Sequence, residues 1–119
     1  MSLNLPVVRP EDSVGKVLRL MDEYKVCHLA LVNGEVFAGL MYEEDLMERD
    51  EETPLAAMEA RPVSVEPQLH LYDVVSRLVE SEVDAMPVVH EGKFLGCIEP
   101  KAVLRFLAES THWAGLGAV

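Results

Sequence analysis

Apolar positions along the chain keep two different rhythms. Val14, Val17, Leu18 and Met21 stand at i, i+3, i+4 and i+7, which lays one apolar stripe along a helix. Glu11, Asp12 and Ser13 just ahead of it offer a capping oxygen and favourable dipole charge, so the helix is predicted to start there and to end near Tyr24. Residues 27–32, CHLALV, are continuous and apolar, as expected of a strand covered on both faces. Asn33-Gly34 then predicts a tight hairpin turn and residues 35–41 the returning strand, in which Gly39 signals a close backbone approach or a bulge. Residues 5–8 read as a short lead strand ended by Pro10. From Glu43 the pattern becomes EEDLMERDEE, a short acidic helix whose Leu46 and Met47 are expected to supply the buried side. Pro54 fits the first turn of another short helix over residues 55–60.

The plan then repeats. Gly96 and Gly39, Phe94 and Phe37, Val89 and Val32, and Val83 and Val26 are each 57 positions apart. The same offset pairs Val65 with Val8, Pro67 with Pro10, Val74 with Val17 and Glu80 with Glu23, and no gap is needed. Residues 62–65 become a second lead strand, and Leu71, Val74, Val75 and Leu78 a second helical stripe. Residues 85–89 and 94–98 form a second hairpin turning at Glu91-Gly92, and Pro100 opens a last helix with Val103, Leu104 and Leu107 as its apolar positions. The chain divides accordingly into a first repeat at 5–52, a connecting helix and linker at 53–61, a second repeat at 62–109 and a tail at 110–119. Trp113 in that tail either packs back on the body or begins a further element.

Composition narrows the function. At 119 residues and 50% apolar content the chain can bury a core of its own, as one domain or two half-domains sharing a core. Ten basic against twenty-one acidic residues give a net charge of −11, a field that repels nucleic acid and anionic membrane. The apolar runs are strand-sized, far below the roughly 18 residues a bilayer span needs, and no basic segment followed by an apolar core opens the chain. A soluble cytoplasmic protein is the expectation. Cys27 and Cys97 sit in apolar runs without zinc-type spacing and read as buried reduced thiols. His28, His70, His90 and His112 are scattered, so no histidine metal site is expected, although Glu43, Asp45 and Glu48 on adjoining turns could share a hard divalent cation. No nucleophile-base pair and no phosphate loop of the GxxxxGK type occurs, which leaves no catalytic residues to assign.

A β-α-β-β-α unit used twice, with the second copy reading MPVVHEGKFLGCIEPKAV and the first HLALVNGEVFAGLMYEEDL, resembles the CBS (cystathionine β-synthase) domain pair, or Bateman module. Pro87 and Gly96 stand where that family has them, while in the first copy Ala30 replaces the proline and Gly39 and Asp45 fit. The resemblance implies an α/β sandwich with pseudo-two-fold symmetry, in which two three-stranded sheets pack on helices and leave a cleft that binds adenosyl nucleotides. It further implies a Ser or Thr three residues after the glycine and an Asp six after it, the carboxylate gripping both ribose hydroxyls. In the first copy these positions are Tyr42 and Asp45, with Val7, Val8 and Leu29 lining the adenine slot. In the second they are Glu99 and Ala102, so the second site has lost its polar contact. Lys101 and Arg105, four apart on the last helix, would reach phosphates across the cleft.

The function so implied is a non-catalytic regulatory module holding one adenosyl ligand near Asp45. AMP, ADP, ATP and S-adenosylmethionine are the candidates. Seven of the ten residues at positions 43–52 are acidic, so a monophosphate or cationic S-adenosylmethionine suits the charge better than free ATP. The alternative is a degenerate pair that serves as a dimerisation or docking scaffold without nucleotide, and a homodimer formed through the helices is expected in either case.

Overall fold

The first helix shows how local signals set the architecture. In a computed structural model, which describes residues 5–109, α1 spans Val14–Tyr24, and the Ser13 hydroxyl caps it by accepting from the Lys16 N–H at 3.2 Å. Lys25 closes it in the left-handed conformation at φ 58°, where its N–H donates to the Asp22 and Met21 carbonyls. Val14, Val17 and Met21 are buried along the expected stripe. The second copy's α3, Leu71–Ser81, ends the same way at Glu82 with φ 53°. Its stripe is thinner, for Val74 and Leu78 are buried while Leu71 is 41% exposed.

Each copy contributes a hairpin: β1 (His28–Asn33) with β2 (Val36–Tyr42), and β3 (Met86–His90) with β4 (Lys93–Ile98). Both carry a bulge at the same place. Leu31 pairs with Gly39 but Val32 with Phe37, leaving Ala38 as the extra residue; Val88 pairs with Gly96 but Val89 with Phe94, leaving Leu95. The first turn is Gly34-Glu35, one residue later than Asn33-Gly34, because the register set by the bulge pairs Asn33 with Val36. Glu91-Gly92 turns the second hairpin as expected, with φ 50° and 82°.

The lead segments at 5–8 and 62–65 are reduced to one bridge each. The Val8 N–H donates to the Ala30 carbonyl and its carbonyl accepts from Val32. Val65 makes the corresponding pair with Pro87 and Val89, all distances being 2.9 Å. The hairpins join through Val36 and Lys93 into one antiparallel sheet of order β1-β2-β4-β3. At this seam the Phe37 N–H donates to Gly92 and the Phe94 N–H to Glu35, while the two phenyl rings stack with centroids 6.3 Å apart. Phe37 and Phe94 are counterparts under the 57-residue offset, as are Glu35 and Gly92, so the seam lies on a pseudo-two-fold axis.

Two cores result. Val8, Val14, Val17, Met21, Leu29, Leu31 and Met41 cluster in the first copy, and Val65, Val74, Leu78, Met86, Val88 and Val103 in the second. Strand β2 belongs to both: Met41 points into the first core, while Leu40 and Tyr42, on its opposite face, point into the second.

Several expectations from the sequence are corrected. The acidic helix α2 is four residues long, Glu43–Leu46, and it buries Leu46 but leaves Met47 67% exposed. A single turn covers the core through one side chain only. Pro54 is the extended residue before a 3-10 turn, Leu55–Ala57, not part of a helix reaching residue 60. Cys27 is exposed and only Cys97 is buried. In α4, Pro100–Glu109, Val103 is buried and Leu107 partly so, but Leu104 is 65% exposed. Trp113 and the rest of the tail at 110–119 lie outside the described residues. No helix among the described residues is long and apolar enough to cross a membrane.

Candidate functional site

The site at Asp45 depends on a backbone crossing. Residues 60–61, arriving from the linker, pair with β2: the Leu40 N–H donates to the Arg61 carbonyl at 2.8 Å and the Arg61 N–H returns to Leu40 at 3.0 Å. This segment lies directly over Gly39, where an added Cβ would stand 2.4 Å from the Ala60 Cβ. Gly39 therefore makes the close approach that its position in the strand predicts, beside the bulge at Ala38.

The crossing delivers Arg61 onto the end of β2. Its guanidinium carbon sits 3.9 Å from the Tyr42 ring centroid, a cation–π contact. Nε donates to Asp45 Oδ2 at 2.9 Å and Nη2 to Asp45 Oδ1 at 2.8 Å, a forked pair, and Nη2 also donates to Glu44 Oε1 at 2.8 Å. Those bonds hold the Asp45 carboxyl below the usual carboxylate range and raise the arginine further. Burial of Tyr42 pushes its phenol up, with Glu44 and Asp45 adding to the effect and Arg61 opposing it.

Glu44 and Arg61 form a wall between two clefts. The larger, about 670 Å3, lies between the copies and is lined by Tyr42, Val63 and His28 together with Glu43, Glu80 and Glu82. The other, about 630 Å3, holds Asp45 with Glu48, Arg49, Met58 and Glu59. The copies are also tied beside the larger cleft, where Asp84 Oδ2 accepts from the Cys27 N–H and pairs with His28 Nδ1 at 2.8 Å. Cys27 and Asp84 are counterparts under the repeat offset, so this tie too lies on the pseudo-axis.

The residues assigned by resemblance are not gathered in one place. Tyr42 and Asp45 adjoin through Arg61. Val8 and Leu29 are interior to the first core, and Val7 lines a separate pocket with Arg9, Val32 and Phe94. Lys101 and Arg105 are exposed on α4, and neither is among the described residues lining either cleft. In the second copy Ala102 lies in an apolar groove with Pro67, Leu71, Val88, Ile98 and Phe106. Reasoning from the sequence missed Arg61 altogether. Among the described residues no three His, Cys, Asp or Glu side chains are arranged to hold a metal ion.

The sequence model of the CBS domain matches residues 1–52 and 55–109. The chain belongs to the CBS domain family. Among solved structures this CBS pair is similar to a CBS domain pair/ACT domain protein of Thermotoga maritima, at TM-score 0.79 and 19% identity over 92% of this chain and 93% of that one. It is also similar to CBSX2, solved in complex with AMP, at TM-score 0.73 and 26% identity over 89% of each chain. Curated relatives include an uncharacterized 33.4 kDa protein in a ribosomal RNA operon of Thermofilum pendens, 28% identical over 122 residues, covering 87% of this chain and 41% of that protein. Inosine-5'-monophosphate dehydrogenase of Korarchaeum cryptofilum is 28% identical over 110 residues, covering 90% of this chain and 23% of the enzyme. The CBS pair thus spans less than half the length of either relative.

Proposed function

We propose that this CBS pair is a non-catalytic regulatory module of the cytoplasm, built of repeats at 5–52 and 62–109, that binds one adenosyl ligand at Asp45. The observation that carries the reading is the carboxylate itself, six residues after Gly39 on the first turn of α2, where Ala102 is its counterpart in the second copy. Both carboxylate oxygens are placed to accept hydrogen bonds as a pair, which is what a vicinal diol offers, and Arg61 already uses them in that way. The AMP complex of CBSX2 supports the ligand class. A ligand that favours one packing of the two copies over another shifts their equilibrium by its differential affinity, and a partner reads the shift. Calorimetric titration with AMP, ADP, ATP and S-adenosylmethionine tests this. Binding of at least one of them, lost in Asp45→Ala while the melting temperature of the free protein shows a folded variant, is the expected result; no heat from any of them at millimolar concentration overturns it.

A second reading, pairing of two copies of the chain, is favoured by the second repeat's helices. Tyr72 and Val79 on α3 are 80% and 70% exposed, and Leu104 and Phe106 on α4 are 65% and 62% exposed. Side chains of that size in water on adjacent helices suit a two-fold interface of more than roughly 1,000 Å2. Sedimentation velocity decides: a dimer that Tyr72→Glu with Leu104→Glu dissociates is expected, and a monomer at all concentrations rules it out.

A further inference from the structure

We infer that Arg61 gates the Asp45 site and makes it select a nucleoside phosphate over the bare nucleoside, an inference that rests on the reading of Asp45 as the ribose contact. The carboxylate is engaged at both oxygens by a charged fork. A ribose diol brings two neutral donors, and although its bonds to the carboxylate are charge-assisted on the acceptor side, taking the carboxylate leaves the guanidinium without its partner, so the nucleoside alone binds at a cost. A phosphate changes the exchange. It gives the fork of the guanidinium a second anion to grip, through two phosphate oxygens, while the sugar takes over the carboxylate, so that a single ligand satisfies both halves of the broken pair.

In the larger cleft this role falls to one residue, while Arg49 lines the other cleft with Asp45. Glu43, Glu44, Glu80 and Glu82 line the larger cleft, and Arg61 is the only Lys or Arg among its described lining residues. Apart from Arg61 those side chains oppose a phosphate. The guanidinium is also the partition: Arg61 and Glu44 border both the 670 Å3 and the 630 Å3 cleft, so its swing opens each into the other. The backbone of Arg61 is clamped to Leu40 by two hydrogen bonds, which confines the motion to the side chain. Tyr42 beneath the guanidinium offers the face across which it slides.

The test is calorimetric titration of AMP and adenosine against the wild type, Arg61→Ala and Arg61→Lys, with the melting temperature of each free protein recorded. The wild type is expected to bind AMP at least about tenfold tighter than adenosine. Arg61→Ala is expected to bind adenosine more tightly than the wild type does and to lose the preference for AMP, because the carboxylate is freed and the larger cleft then presents Glu43, Glu44, Glu80 and Glu82 with no Lys or Arg among its described lining residues. Arg61→Lys, which keeps the charge without the fork, should fall between the two. An AMP-to-adenosine ratio unchanged in both variants, or equal affinities in the wild type, overturns the gate; if Asp45→Ala still abolishes binding in that case, the ribose reading survives. No binding of either ligand to any of these proteins overturns both together.

Discussion

Gly39→Ala tests the crossing that positions Arg61. Alanine at φ 131° occupies backbone space nearly reserved for glycine, at roughly 1–3 kcal/mol. Its Cβ would lie 2.4 Å from the Ala60 Cβ, against the roughly 3.5–4.0 Å of an ordinary carbon contact, so the linker must retreat by more than about 1 Å. That retreat breaks the two Leu40–Arg61 backbone bonds, each contributing about 0.5–1.5 kcal/mol. Together the loss is about 2–6 kcal/mol. With an unfolding entropy of roughly 2.1 cal/mol/K per residue, the midpoint of the 119-residue chain should fall by roughly 8–24 °C. Gly34→Ala is the control: its φ is 65°, nothing lies within 4 Å of the added Cβ, and left-handed strain alone costs about 1–2 kcal/mol. Calorimetry and urea unfolding followed by circular dichroism measure both variants. Equal losses in the two would mean that the linker is not held against β2, and the account of how Arg61 reaches Asp45 would fail with it.

Leu55→Ala should destabilise the first copy by about 2–5 kcal/mol in urea unfolding, since Leu55 is fully buried among Val8, Val14, Val17 and Leu46; a loss under about 1 kcal/mol would show that the linker turn does not plug that core. Because the Arg61 fork lowers the Asp45 pKa from 3.8, the pair stabilises the fold above that value and the contribution disappears as pH falls through the lower folded value. The stability difference between wild type and Asp45→Asn, under about 1 kcal/mol for a pair this exposed, should hold at neutral pH and fade in acid as Asp45 takes up its proton; a difference that grew in acid would contradict the sign. Burial pushes the Cys97 thiol up to about 11; desolvation, Glu43 and Asp84 also raise Cys27, but it is exposed, so slow alkylation of the folded protein near pH 8 should add one group, at Cys27, as read by peptide mass. Equal labelling of Cys97 would count against the buried environment described for it.

Much of the fold was legible because its signals are local. Ser13 ahead of an i, i+3, i+4, i+7 stripe marks a helix start, and an apolar run ending at Asn33-Gly34 marks a hairpin. The offset of 57 carries each signal to a second place, down to the paired Val8 and Val65 bridges. The misreadings have physical causes. The pattern groups Met47 with Leu46, but the single turn of α2 buries only Leu46. Asn33-Gly34 predicts the turn one residue early, because nothing in the local sequence states which strand residue the bulge leaves out. The edge joining of the two hairpins depends on how the copies face each other, which neither copy's pattern contains. Arg61 escaped notice for a similar reason: its partner lies 16 residues back, no periodicity links them, and Gly39 signals that something comes close without saying what.

The contacts along the pseudo-axis have one more consequence. Phe37 meets Phe94, and the strand beside each offers a carbonyl to the other's N–H, so each half carries both parts of the same handclasp. A polypeptide holding only the first half already owns both parts of this seam, for residue 37 would lie against residue 37 and carbonyl 35 would receive N–H 37 in both directions, while the Asp84 tie, whose counterpart is Cys27, would be lost. Two such pieces should therefore assemble about a true two-fold axis where the intact chain has only a pseudo-axis.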